Sequence, residues 1–203
     1  DTTGACKPSM SGSKFDVKLV DQFSRKTWGV RVKRKAEIPN LVELHFDSLK
    51  AMKNDVKFLR ADNAGEHGIK LANVCNKFGV TLELTAPNTP QQNGVVERKI
   101  YTDKNRAHAM LISARLTPEA QDLLRAGAVA TAELIANMLA GPDGISPNMR
   151  WNGEPGKLKA KDLVEFGRIG YVTDRTKFKA KMAEKATKCI MVGYATNHSS
   201  DKY

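Results

Sequence analysis

Cysteine is scarce in this chain: Cys6, Cys75 and Cys189 stand far apart and in no C-x-x-C arrangement. An odd, scattered set excludes a disulfide framework and offers no closed zinc site, and it fits a reducing, intracellular compartment. Long apolar runs are missing as well. The most apolar stretch, residues 123–140, carries Arg125, Glu133 and Asn137, whereas a membrane span needs about 20 apolar residues in succession. That stretch reads as a helix of a water-soluble fold, and no membrane partner is expected. No charged segment followed by an apolar one opens the sequence, so no secretory signal is expected, and the abrupt start at Asp1 reads as the edge of a longer chain. Acid is in deficit: 22 Asp plus Glu against 33 Lys plus Arg leave a formal net charge of +11. A field of that sign concentrates phosphates, which makes nucleic acid the first partner to consider. With 41% hydrophobic and 27% charged residues, the composition is close to the globular average of about 25% charged, and a buried core is expected.

What is present divides by periodicity. Residues 14–32 hold two alternating runs, F-D-V-K-L-V-D-Q-F and W-G-V-R-V, broken at Ser24, Arg25 and Lys26, the pattern of an antiparallel hairpin. Leu41, Leu44, His45, Leu49 and Met52 recur at spacings of three and four, which predicts a helix over 38–52. A short strand at 56–59 leads to Asp62, and a helix over 71–78 is stopped by Gly79 in the C′ position. Residues 80–86 form another strand. Pro87, Asn88, Thr89, Pro90, Gln91, Gln92, Asn93 and Gly94 make a loop that no helix or central strand tolerates, and a long helix runs from Val95 to about Ala114. Thr117 as N-cap and Pro118 at the first helical position open the next helix. After Ala140 the composition turns to glycine and proline and then to short alternating runs, indicating a linker and a small β module. Residues 140–203 carry 12 basic and 7 acidic residues, so this tail is the more basic part of the chain for its length.

Three carboxylates stand at the edges of these elements: Asp1, Asp62 and Glu97. Carboxylates that converge repel one another unless a cation neutralises them, and an all-oxygen ligand set selects magnesium or manganese. Two such ions about 3.5–4 Å apart suit an in-line phosphoryl transfer. Each residue also has an ordinary reading. Asp62 before Asn63 is an Asx turn signal, Glu97 beside Arg98 and Lys99 is a solvated helical charge, and Asp21 competes with Asp1 for the place of first carboxylate. The histidines, His45, His67, His108 and His198, lack ligand spacing and receive no role.

The strings D-T-T-G at the start, V-D-Q-F-S-R at 20–25, L-R-A-D-N-A-G-E at 59–66 and T-A-P-N-T-P-Q-Q-N-G-V-V-E-R at 85–98 resemble the catalytic core of copia-type (Ty1/copia) LTR retrotransposon integrases. The strings S-P-N-M-R-W at 146–151, E-F-G at 165–167 and K-C-I-M-V-G-Y at 188–194 resemble the region that follows that core, so the likeness spans essentially the whole chain. The resemblance implies a fragment of a Gag-Pol polyprotein. Its fold would be α/β: an RNase H-like core over 1–115, with a mixed five-stranded sheet flanked by helices, then a helical extension and linker over 116–152 and a basic SH3-like module over 153–203. It implies that Asp1, Asp62 and Glu97 are at once the catalytic triad and the metal ligands, holding Mg2+ or Mn2+, two ions in all, while Asp21 is structural. The 34 residues between Asp62 and Glu97 are one short of the family's usual interval. Asn63-Ala64-Gly65 stands where the family favours N-G-G, and Leu124-Arg125-Ala126 where it has a Trp-containing patch.

The implied activity is that of a DDE-type polynucleotidyl transferase: insertion of element cDNA into target DNA by strand transfer, in a homo-oligomer acting in the nucleus on double-stranded DNA. An RNase H-like endonuclease that cuts without joining is the alternative enzyme, and a decayed copy that binds DNA without catalysis is the alternative outside enzymes. For DNA contact the amide-rich loop offers Gln91, Gln92, Asn93 and Gly94, next to Asn63 after the strand. On the following helix Glu97, Tyr101, Lys104 and His108 share one face, flanked by Arg98 and Lys99, while Ile100, Ala107 and Leu111 share another. In the tail, Arg175, Lys177, Lys179 and Lys181 alternate with Phe178 and Ala180 and form a candidate basic row.

Overall fold

The alternating runs pair as a hairpin: β1 (Phe15–Val20) and β2 (Thr27–Val32) are antiparallel, with Phe15 opposite Val32 and Val20 opposite Thr27. The structure is a computed structural model and describes residues 1–62, 68–85, 93–156, 158–173 and 186–194. It contains two compact units, Asp1–Thr102 and Asp103–Tyr203, whose boundary falls inside one helix.

In the first unit the hairpin turn is built by Asp21, whose Oδ2 accepts from the Ser24 amide at 2.6 Å and from its hydroxyl at 2.7 Å. Arg25 follows in the left-handed region, with φ 62°. A 3-10 turn, Lys35–Glu37, leads into α1 (Ile38–Ala51), which has Pro39 near its start. β3 (Phe58–Ala61), α2 (Gly68–Phe78) and β4 (Thr81–Leu84) form a β-α-β unit with β3 and β4 parallel, Phe58 opposite Thr81 and Ala61 opposite Leu84. Gly79, with φ 66°, ends α2 as expected of a residue without a Cβ penalty. The core joins Val42 and Phe46 of α1 to Val74, Cys75 and Val80, with Leu19 of β1 and Leu59 of β3 packed against it.

Helix α1 stands where it was expected but turns a different face inward. Pro39, Val42, Phe46 and Leu49 are buried, while Leu44 and Met52 are 66% and 63% exposed. Both stripes have helical spacing, and the one that wins holds Phe46, whose ring meets Phe78 edge-on at 5.5 Å and removes more apolar surface from water than a leucine does. His45 is half-buried at the margin of this face, 4.9 Å from the Trp28 ring centroid.

The mixed five-stranded sheet is not what the described residues form. Their strands pair two by two, as β1 with β2, β3 with β4, and β5 (Ile169–Thr173) with β6 (Ala186–Ile190). A strand that joined the first two sheets would need a ladder on both edges, and the segment lying along β1 opposite β2 is residues 1–3, which make one bridge, Thr2 to Val17.

The second unit is built on α4 (Pro118–Met138), capped as the sequence indicated by the Thr117 hydroxyl accepting from the Ala120 amide at 3.3 Å. The preceding helix, α3 (Gly94–Ser113), supplies Ala107 and Leu111 to a core with Ala128, Val129, Ala132 and Phe166. Leu124, in the place of the family's aromatic patch, packs at the edge of this core. A short helix, α5 (Pro147–Asn152), follows, capped by Ser146, and β5 and β6 pair antiparallel with Ile169 opposite Ile190. This two-stranded pair is the sheet that the described residues of the stretch 153–203 form, and it does not amount to the expected SH3-like module. Among the described residues no helix is long and apolar enough to cross a membrane.

Two outcomes follow from this packing. Gly127 lies so close to the chain after β6 that a Cβ there would stand 2.5 Å from the Val192 carbonyl oxygen. Gly127→Ala is expected to cost about 1–3 kcal/mol, the range for overpacking, seen as a lower thermal midpoint; an unchanged midpoint would show that α4 and the tail move apart freely. Burial lowers the proton affinity of His45 from its ordinary pKa of 6.5, so the unfolded chain takes up the proton first. Its contribution to stability is complete above about pH 6.5 and is lost as pH falls below it. In denaturant titrations across pH 4–8, His45→Gln should remove part of that acid loss.

Candidate active site

The acidic site starts from a backbone ladder. The Asp1 amino group donates to the Lys18 carbonyl at 2.9 Å, the Lys18 amide donates back to the Asp1 carbonyl at 2.8 Å, and the Thr3 amide donates to the Asp16 carbonyl at 2.9 Å. Residues 1–3 therefore run antiparallel along β1, and the first residue is tied down rather than frayed. The Asp1 carboxylate accepts from the Thr2 amide at 2.6 Å through Oδ1, which leaves its second oxygen for other work.

Asp62 is the residue after β3, exposed at the strand's carboxyl end. Beside it the Thr85 amide donates to the Ala61 carbonyl at 3.0 Å, so the β3–β4 ladder holds to its last residue. One residue earlier on β3, Arg60 donates from Nε and Nη2 to Glu83 Oε2 of β4, at 3.1 and 2.8 Å. Burial lowers the pKa of the Asp1 amino group, and the negative charge of Asp62 partly raises it again. The Asp62 carboxylate, at the end of β3, therefore acts on the amino group of Asp1 alongside β1.

Glu97 lies in the first turn of α3, where a carboxylate is favoured by the amide end of the helix dipole. Its amide donates to the Asn93 carbonyl at 3.1 Å, which makes Asn93 the entry residue of α3. Glu97 is exposed, yet among the described residues no three His, Cys, Asp or Glu side chains stand close enough to hold one metal ion. Asp62 lies within electrostatic reach of the Asp1 amino group, and among the described residues no three-carboxylate cluster includes Glu97. The three predicted ligands, Asp1, Asp62 and Glu97, are all carboxylates, a donor chemistry that fits a hard divalent cation.

The predicted DNA-contact residues divide in the same way. Arg98, Tyr101, Lys104 and His108 are exposed on α3, and Ile100, Ala107 and Leu111 are buried, as their spacing indicated. Lys99 is half-buried and Asn93 is buried, at the helix entry rather than on an open surface. Gly94 is the first residue of α3. Asn63, Gln91, Gln92, Arg175, Lys177, Lys179 and Lys181 lie outside the described residues. Asp21, the rival first carboxylate, accepts both bonds from Ser24 through Oδ2 and builds the hairpin turn.

Sequence reading missed the buried charges beside Asp1. Lys18 is 1% exposed and Asp16 2%, with Arg31 Nε 3.5 Å from Asp16 Oδ1. The hairpin pattern carried no assignment of these residues, and the available signal was their density: Asp16 and Lys18 two residues apart on β1, with Arg31 opposite Asp16.

No protein-family model matches the chain. Over 190 residues it is 30% identical to a retrovirus-related Pol polyprotein from transposon TNT 1-94 of Nicotiana tabacum, covering 92% of this chain and 14% of that protein. Over 200 residues it is 26% identical to a retrovirus-related Pol polyprotein from transposon RE2 of Arabidopsis thaliana, covering 95% of this chain and 13% of that protein. The chain thus spans about one seventh of the length of these relatives, and the resemblance to copia-type retrotransposon polyproteins is borne out by them. Among solved structures, the catalytic core domain of BIV integrase superposes with a TM-score of 0.50 at 22% identity, over 75% of this chain and 91% of that one. A chain of the simian T-cell lymphotropic virus intasome in complex with PP2A regulatory subunit B56 gamma superposes with a TM-score of 0.59 at 14% identity, over 93% of this chain and 66% of that one. At such identities the likeness concerns the fold alone, that of an RNase H-like integrase core.

The turn and the acidic pair should separate experimentally. Asp21→Ala removes two hydrogen bonds to a carboxylate and should cost about 1.5–3 kcal/mol while leaving any Mg2+-dependent rise in thermal midpoint intact. Asp1→Asn should do the reverse. A Mg2+ response lost in Asp21→Ala and kept in Asp1→Asn would exchange the two assignments.

Proposed function

We propose that this chain, a relative of copia-type Pol polyproteins along part of their length, is the catalytic portion of a retrotransposon integrase that joins element cDNA ends to target DNA. The observation that supports the reading is the exposed Asp62 carboxylate at the end of β3, within electrostatic reach of the amino group of Asp1 alongside β1. Asp1 and Asp62 would hold Mg2+ or Mn2+, with Glu97 as the third ligand on the first turn of α3. Two bound ions supply activation of a 3′-hydroxyl and stabilisation of the leaving oxygen at the target phosphodiester. The protein's share is positional. The ladder along β1 fixes Asp1, the β3–β4 ladder fixes the strand end before Asp62, and the exposed face of α3, with Arg98, Tyr101 and Lys104, receives the duplex by phosphate contact and stacking.

The wider reading has the chain working as a homo-oligomer on nuclear DNA, as part of a polyprotein, with the β5–β6 pair belonging to an SH3-like module whose row Arg175, Lys177, Lys179 and Lys181 adds phosphate contacts. A second reading, DNA binding without catalysis, is favoured by one observation: Glu97 does not join the two aspartates in a three-carboxylate cluster among the described residues.

One assay tests both. With Mg2+, a labelled oligonucleotide end should be joined into plasmid, and Asp62→Asn, which removes a ligand charge at nearly constant volume, should lower joining by more than about 100-fold while the thermal midpoint stays. Nicks without joined product would favour an endonuclease. Retained DNA binding with neither product would favour the non-catalytic reading, and joining by Asp62→Asn at the wild-type rate would sink the assigned site.

A further inference from the structure

Four cations gather at the end of the hairpin away from its turn. Lys14 precedes β1 and its amide donates to the Val32 carbonyl at 2.9 Å, which places it beside the exit of β2. Lys33, Arg34 and Lys35 are that exit, and all four residues are exposed. The usual fate of such a run is a solvated, mobile charged face. Here three of the four side chains have a contact that holds them. Gly12, with φ 79°, makes a tight turn under Lys33: a Cβ at that position would stand 3.3 Å from Lys33 Cε and 3.7 Å from its Nζ, so the missing side chain is the space the lysine stem occupies. The turn is itself braced by hydroxyls, Ser9 Oγ lying 2.6 Å from Ser13 Oγ and 3.0 Å from Ser11 Oγ. Lys35 Nζ sits 5.8 Å from the Phe15 ring centroid. Arg34 Nε lies 3.4 Å from Glu37 Oε1, with the arginine side chain 81% exposed.

We infer that Lys14, Lys33, Arg34 and Lys35 form a preorganised seat for the phosphate backbone of duplex DNA, separate from the α3 face and from the basic row of the tail. Three physical arguments carry it. Cations already held in place lose less side-chain entropy when a phosphate arrives than free lysines do. Charge is complementary, since Glu37 is the one acid among residues 31–37 and it answers a single arginine. The seat is also in register with the acidic site. Asp1 pairs with Lys18, and Lys14 lies four residues from Lys18 toward the end that residues 1–3 run to, about 13 Å at about 3.3 Å per strand residue. That is about two phosphate spacings along a DNA strand. A strand whose reacting phosphodiester lies at Asp1 and Asp62 would pass its neighbouring phosphates over the four cations.

This inference rests on the integrase reading for its partner but is tested apart from it. Binding of the full chain to a 30-bp duplex of arbitrary sequence is measured with divalent ions chelated, over a series of salt concentrations. Neutralising Lys14→Gln, Lys33→Gln, Arg34→Gln and Lys35→Gln together should make the slope of log affinity against log salt shallower by about 3.6 units, at about 0.9 per phosphate contact, and equally for duplexes of different sequence. A double reversal, Lys33→Glu with Lys35→Glu, gives the same answer with two substitutions and should weaken binding at least tenfold at low salt. Thermal melts of both variants show that the fold is kept. A slope change below two units in the fourfold variant overturns the seat, as does a change confined to self-association in sedimentation, which would make the patch a contact between copies. A large slope change in a chain that joins no DNA ends would leave the seat standing and remove the integrase reading; joining with an unchanged slope would do the opposite.

Discussion

Everything proposed for this chain depends on how residues 1–3 attach to β1. Two carboxylates brought together repel by about 4 kcal/mol at 4 Å under an effective dielectric of 20, and by about 1 kcal/mol in water. A flexible terminus would relax that repulsion by moving away. Asp1 does not, because its amino group and carbonyl are both committed to Lys18 and the next ladder bond, from Thr3 to Asp16, holds the direction of the segment. Asp62 stands at a strand end, where exposure lets water screen the charge. The repulsion is thus kept small on one side by solvent and resisted on the other by backbone bonds, which is the condition an acidic cation site needs before its cation arrives.

The two units reach their cores by different routes. The first buries branched and aromatic side chains, Val42, Phe46, Val74 and Val80, between helices and a parallel pair of strands. The second replaces bulk with closeness: Ala107, Ala128 and Ala132 line the helices around Phe166, and Gly127 admits the Val192 carbonyl where any side chain would collide. Leu124 in place of an aromatic anchor is in keeping with this, since small residues let backbones approach and recover in dispersion what a large ring would have contributed in area. The tail is further tied by Tyr194, whose hydroxyl accepts from the Val164 amide at 2.5 Å and donates to the Val164 carbonyl at 3.1 Å.

Local rules were legible in the sequence and cross-sheet relations were not. Gly79, Thr117 and Pro118 act where their stereochemistry requires, and the two faces of α3 divide as its spacing of Ile100, Ala107 and Leu111 indicated. The inward face of α1 was misread because two stripes of similar period compete on one helix, and the choice between them is made by Phe78, a residue on another element. The burial of Lys18 and Asp16 was not legible because alternation shows that a strand has two faces but not that both are covered. The five-stranded sheet was expected from resemblance, whereas pairing depends on how many residues lie at each edge. For the site, residue types and order nominated Asp1, Asp62 and Glu97, while their mutual placement depends on how strand ends and α3 pack, which spacing does not encode.

The charges on this chain ask for two different things. Asp1 and Asp62 concentrate negative potential at one point and would turn a phosphodiester away until a cation binds. Lys14, Lys33, Arg34 and Lys35 concentrate positive potential on the same hairpin, and attract a phosphate whether or not a cation is present. Asp1 is bonded along β1 and the cations stand at the end of the same hairpin, so backbone geometry sets their separation, and a duplex drawn in by the cations is already in register with Asp1. Affinity and chemistry then answer to different solution conditions, the first to monovalent salt through counterion release and the second to divalent ion. A rigid sheet, rather than a flexible loop, is the element suited to keeping that distance fixed, because its ladder bonds would all have to lengthen before the two sets of charges could move apart.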